Sequence, residues 1–135
     1  MAESFQFDLV SPERKLLSEA VAMVTVPGME GDFGVLKGHA PFMSTLRPGF
    51  VEIQRSEQSE PLRVFVTGGF ADVTPAGLTL LADEALDANS VNAAMFERLL
   101  NAAREESERA ASDQAKARAD QRIRDLEQAR ALIRV

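Results

Sequence analysis

The sequence predicts an α+β chain: a small β-sandwich followed by an antiparallel two-helix hairpin. Two observations carry this. Up to about residue 83, apolar and polar residues alternate with a period of two, in short runs separated by turn signals. From about Ser90 the spacing becomes helical and alanine becomes common, and neither proline nor glycine occurs from residue 78 to the end. The expected division is a sandwich domain over residues 1–86 and a helical domain over residues 87–135.

The strands follow in order. Phe5, Phe7 and Leu9 alternate with Gln6 and Asp8. Residues 20–26, AVAMVTV, form an apolar run ending at Pro27-Gly28, which reads as one strand covered on both faces. Val51 and Ile53 alternate with Glu52 and Gln54, and Leu62, Val64 and Val66 share a face of the next strand. The polar residues Ser56 to Glu60 between them read as a hairpin loop. Thr74-Pro75-Ala76-Gly77 is a turn, because proline presets φ and glycine closes it. Leu78 and Leu80 begin another strand.

In the helical part, Ser90 is the expected cap of the first helix, its hydroxyl accepting a free backbone N–H. Val91, Met95, Leu99 and Ala102 fall on one face, with Leu100 and Ala103 beside it. A break is expected near Ala111-Ser112-Asp113. Ala115, Ala119, Ile123, Leu126 and Ile133 then make the stripe of a second helix. Facing alanines let two helices pack closely. This second helix carries Lys116, Arg118, Arg122, Arg124, Arg130 and Arg134 against Asp113, Asp120, Asp125 and Glu127. Most of these charges read as a solvated face with i,i+4 pairs, and a basic helix of this kind also suits an acidic partner.

Composition narrows the function. A net charge of −6 over 135 residues argues against a broad nucleic-acid surface. Without tryptophan or tyrosine, base stacking would rest on phenylalanine alone. With no cysteine and one histidine, neither disulfides nor an all-protein zinc site is expected. No apolar run approaches the roughly 20 residues that span a bilayer. The first four residues lack the basic and apolar regions of a secretory signal, and the absence of cysteine fits a reducing cytosol.

The segment GDFGVLKGHAPF, residues 31–42, holds three glycines and the only histidine. A hydrolase built on His39 would need a nucleophile and a carboxylate, and the nearest, Ser44 and Asp32, have no triad spacing. The glycines lack the Gly-Lys-Ser/Thr ending of a phosphate loop, and no helix pattern follows them. The segment reads instead as a tightly defined connection, anchored by Phe33, Val35 and Leu36, with a polar exposed tip at Met29-Glu30-Gly31-Asp32.

The stretch VPGMEGDFGVLKGHAPF resembles the PGxEGxxGxLxGHAP segment of the epsilon subunits of bacterial F-type ATP synthases, which are equivalent to the mitochondrial delta subunit. FDLVSPERKLLSEAV, LRPGFVEI and FVTGGFADVTPAGLTLLADEA extend the resemblance through about residue 85. It implies a ten-stranded β-sandwich and a two-helix tail. It implies a non-catalytic rotor subunit of the central stalk, linking the gamma subunit to the membrane ring of c subunits at the cytoplasmic face of the bacterial inner membrane. In that family Glu30, Gly31 and Asp32 match the ring-facing loop, and Ser11 and His39 match positions toward gamma. The helical pair can extend toward the alpha and beta subunits and block hydrolysis, with Lys116, Arg118 and Arg122 as the basic contacts. Some members bind ATP through Ile/Leu-Asp-x-x-Arg-Ala. The matching stretch here is Val91 to Phe96, where Asn92 replaces the aspartate and Met95 the arginine, so no nucleotide, cofactor or metal is expected. The alternative from composition and pattern alone is a stand-alone β-sandwich binding module with a helical interaction hairpin.

Overall fold

The structure is a computed structural model that describes residues 3–56 and 58–134. Among these residues, ten strands precede two helices. The strands are β1 (Phe5–Val10), β2 (Lys15–Val21), β3 (Met23–Gly28), β4 (Gly31–Val35), β5 (Phe42–Leu46), β6 (Gly49–Gln54), β7 (Leu62–Val66), β8 (Gly69–Thr74), β9 (Gly77–Ala82) and β10 (Ala85–Asp87). The helices are α1 (Ala93–Arg109) and α2 (Asp113–Ile133). The chain divides into two compact units, one reaching Ala88 and one beginning at Asn89.

In the first unit the strands run in the order β10-β7-β6-β3-β5-β8-β9-β1-β2, and β4 pairs with β3 alone. All pairs are antiparallel except β1 with β9. The sheet folds into two layers where β3 passes from β6, along Met23 to Thr25, to β5 at Gly28. Alternation places Phe7, Leu9, Val24, Val26, Val51, Ile53, Leu78 and Leu80 in the core, all essentially inaccessible to water.

Two details depart from the sequence pattern. The apolar run over residues 20–26 is two strands, broken at Ala22, and Met23 emerges on the surface. A bend between consecutive antiparallel strands lets one apolar run serve both β2 and β3. On β7 the fully buried ring is Phe65, on the face opposite Val64 and Val66. It packs edge-on against Phe50 at a centroid distance of 5.4 Å. The loop between β6 and β7 is closed by Gln54, whose side-chain amide donates to the Ser59 carbonyl at 2.6 Å.

In the second unit, Ser90 lies in a 3-10 turn (Ala88–Ser90) and the cap of α1 is Asn92. Asn92 has extended backbone geometry, and its side-chain oxygen accepts the Met95 N–H at 2.9 Å. The helix therefore starts later than expected and its buried face is rotated. Met95, Phe96, Leu99, Leu100, Ala103 and Ser107 are buried, Ala102 is exposed, and Val91 lies before the helix. Ser112 caps α2, accepting the Ala115 N–H at 3.1 Å, and Ala119, Leu126 and Ala129 form its buried stripe.

Candidate docking site

The β3–β4 hairpin ends in an exposed tip. Met29 and Glu30 form the turn, and Gly31, with φ of 139°, closes it in a conformation that side chains rarely adopt. Below the turn, Gly28 pairs with Gly31 and Pro27 with Asp32. The Asp32 carboxylate is bonded to the guanidinium of Arg47, in the β5–β6 turn. Of the two tip carboxylates, Glu30 points to solvent and Asp32 has a partner within the chain.

Ser11 and His39 lie toward opposite ends of the sandwich. Ser11 closes the β1–β2 turn, its N–H donating to the Arg14 carbonyl at 2.9 Å. His39 follows the far end of β4 and is exposed. Its Nδ1 lies 2.9 Å from the Ala40 carbonyl, to which it donates, and its ring is 5.4 Å from that of Phe42. His39 and Lys37 border a cleft of about 230 Å³ whose lining, from Ser4 to Gly77, contains no carboxylate. The two residues nearest His39 in sequence for a triad are engaged elsewhere. Asp32 is at the other end of β4 with Arg47, and the Ser44 hydroxyl donates to the Thr45 carbonyl at 3.1 Å. The imidazole has a structural bond, and among the described residues no carboxylate is bonded to it.

Sequence reasoning missed what lies between these two residues. Across the outward face of four strands, Thr45, Phe70, Leu81 and Val10 stand in one row of the ladder. Met43 stands in the next row. Leu81 is 48% exposed and Met43 62%. An apolar row thus runs from Val10, beside Ser11, through Leu81 to Phe70, with exposed Met43 one row further toward the His39 end and opposite Asp72. A signal was present: Phe70-Ala71 and Leu80-Leu81 are adjacent apolar pairs, and in a strand one of each pair must face outward. An exposed apolar strip with polar neighbours marks an interaction surface.

On the hairpin, Lys116 is engaged within the unit. Its ammonium donates to the Ser107 hydroxyl at 2.9 Å and lies 3.6 Å from Asp120. Ser107 in turn donates to Asp120 at 2.5 Å, joining α1 to α2. The Ser107 hydroxyl, and after it the Lys116 charge, hold the Asp120 carboxyl below its ordinary value. Toward the other end of the hairpin Arg130 bonds Glu97 at 2.6 Å and lowers the pKa of that carboxyl too. Arg118 and Arg122 line an open groove floored by Ala102, Ala115 and Ala119, with Glu105 and Glu106 among its other walls. At the positions matching the nucleotide motif, the Asn92 oxygen is used by the helix cap, Met95 is buried and Phe96 is fully buried.

A β-sandwich with a polar hairpin tip and an outward apolar row, followed by a helical hairpin, is the architecture of an interaction module. Comparison with known proteins then places it. Residues 4–88 match the family described as ATP synthase, Delta/Epsilon chain, beta-sandwich domain. The ATP synthase epsilon chain of Mesorhizobium japonicum is 45% identical over 126 residues, covering 93% of both chains. That of Parvibaculum lavamentivorans is 54% identical over 98 residues, 73% of this chain and 74% of its own. Among solved structures, a chain of the Euglena gracilis mitochondrial ATP synthase, resolved with its OSCP, F1 and c-ring, superposes with a TM-score of 0.70 at 24% identity, covering 96% of this chain and 81% of that one. The chain belongs to the ATP synthase epsilon-chain family, whose members are non-catalytic accessory subunits of the F1 complex and its rotor.

Proposed function

We propose that this chain joins the gamma subunit to the c-ring at the cytoplasmic face of a bacterial inner membrane, with the outward strip as the gamma seat and the tip as the ring seat. The observation that carries the reading is the strip itself: Val10, Leu81 and Phe70 form an apolar row next to Ser11, and exposed Met43 stands in the next row toward His39, Ser11 and His39 being the two positions expected to face gamma. A rotor joint transmits torque without chemistry, so it needs complementary shape and several anchors. The strip supplies apolar anchors, and Glu30 supplies a polar one at the tip. The groove arginines Arg118 and Arg122 would meet the acidic surface of beta if the hairpin extends, with Lys116 joining them only after leaving Ser107 and Asp120.

Leu81→Asp tests the gamma seat. Leu81 is half exposed, so the isolated variant should fold, while a carboxylate buried in the joint should weaken gamma binding on the order of thirtyfold or more. Size-exclusion chromatography of the chain mixed with gamma reads this directly. Unchanged co-elution would remove the strip from the interface.

A further inference from the structure

We propose that Arg47 is a positioning residue for the tip, and that Asp32 serves as the anchor point of this brace rather than as a contact to the ring. The inference rests on the reading of the tip as the ring seat, and its first test does not depend on that reading.

The geometry begins with an edge. Among the described residues β4 has a single neighbour strand, β3, so half of its backbone groups have no strand to bond. Such a strand frays unless something else ties it down. Arg47 supplies the tie from the far side of β3. Its own N–H donates to the Pro27 carbonyl at 3.0 Å, and the Met29 N–H donates to the Thr45 carbonyl at 2.9 Å. These two bonds fix the end of β5 against the end of β3. Asp32 is the residue opposite Pro27 on β4. The Arg47 side chain therefore passes over buried Pro27 and closes on the Asp32 carboxylate, strapping β4 across an intervening strand.

Gly49 makes the path available. A methyl group there would lie 3.1 Å from the Arg47 Nη1 and 3.0 Å from the Pro27 Cβ. The arginine is accordingly the better shielded partner, its side chain 26% exposed against 59% for Asp32. A planar guanidinium fixes a carboxylate in direction as well as distance. An ion pair this exposed contributes little to global stability. Its effect is local: it holds the two-residue turn, so that Met29 and Glu30 meet a partner in one orientation instead of several.

Amide hydrogen exchange on the isolated chain is the first test. In Arg47→Ala and in Asp32→Asn, exchange over residues 29–33 should accelerate roughly two- to five-fold, with the denaturation midpoint nearly unchanged. Arg47→Lys should recover part of the protection. The charge-swapped pair Arg47→Asp with Asp32→Arg should recover most of it. Unaltered exchange in both single variants would overturn the proposal.

The second test uses the assembled synthase. Proton-driven synthesis should fall in Arg47→Ala, return in the charge-swapped pair, and fall in Glu30→Lys in either background. If the swapped pair restores exchange but not coupling, Asp32 itself contacts the ring and the brace-only role is wrong. If exchange rises and coupling is indifferent to Arg47 and Glu30 alike, the brace stands and the ring-facing reading of the tip fails.

Discussion

The sandwich and the hairpin are held together by different means. The sandwich buries a continuous set of large side chains, Phe7, Leu9, Ile53, Leu78 and Leu80 among them, beneath a ladder that ties each strand to at least one neighbour. The helical unit buries a smaller set, Met95, Phe96, Leu99, Leu100 and Leu126 with Ala103, Ala119 and Ala129, and adds polar ties, Ser107 with Asp120 and Lys116, and Glu97 with Arg130. Large interlocked side chains resist any rearrangement, because a displaced phenylalanine leaves a cavity. Alanines slide at small cost, and exposed charges re-pair with water. One unit is built to keep its shape under load. The other combines a smaller apolar set with polar ties at the helix surfaces, and those ties are the part that water and pH can loosen.

Phe7→Ala should sharpen this contrast most. It should lower sandwich stability by about 3–5 kcal/mol, read by denaturant unfolding. The hairpin's Ser107→Ala should cost less, about 1–2 kcal/mol, by removing the hydroxyl that links Lys116 to Asp120. Helix melting followed by circular dichroism would show it, and a sandwich-sized loss there would erase the distinction.

Acid should weaken the polar ties of the hairpin. The folded-state pKa of Asp120 lies below its ordinary 3.8 and that of Glu97 below its ordinary 4.5. Groups depressed on folding stabilise above the unfolded value and lose that contribution as pH falls through the folded one. The hairpin should therefore hold at neutral pH and loosen as pH drops below about 4, and Asp120→Asn should flatten that response in a pH titration of helicity. The smallest expected effect is none: with Asn92 committed to the cap and Met95 and Phe96 buried, ATP should show no saturable site tighter than about 1 mM by titration calorimetry.

Much of this was legible in the sequence. Phe7, Leu9, Val51, Ile53, Leu78 and Leu80 announced their burial through period two, and Ser112 announced the break between helices. The start of α1 was misread, since Ser90 and Asn92 are both good caps and only the preceding 3-10 turn selects between them. Of the candidate docking residues, the tip was visible as a glycine-bounded polar turn. The strip was not, because its members are far apart in sequence and become neighbours only through ladder register.

The sequence by itself determined that a part rich in short strands precedes a helical part, and the family to which the chain belongs. These follow from local periodicity, from turn residues whose φ is restricted, and from a motif contained in one short stretch. Tertiary structure alone decided that Arg47 reaches Asp32 over Pro27, that Val10, Leu81 and Phe70 share a row, and that Lys116 is tied to Ser107. The reason is physical: each depends on which strands or helices lie side by side and in what register, and register is set by the packing of the whole core rather than by any segment of it.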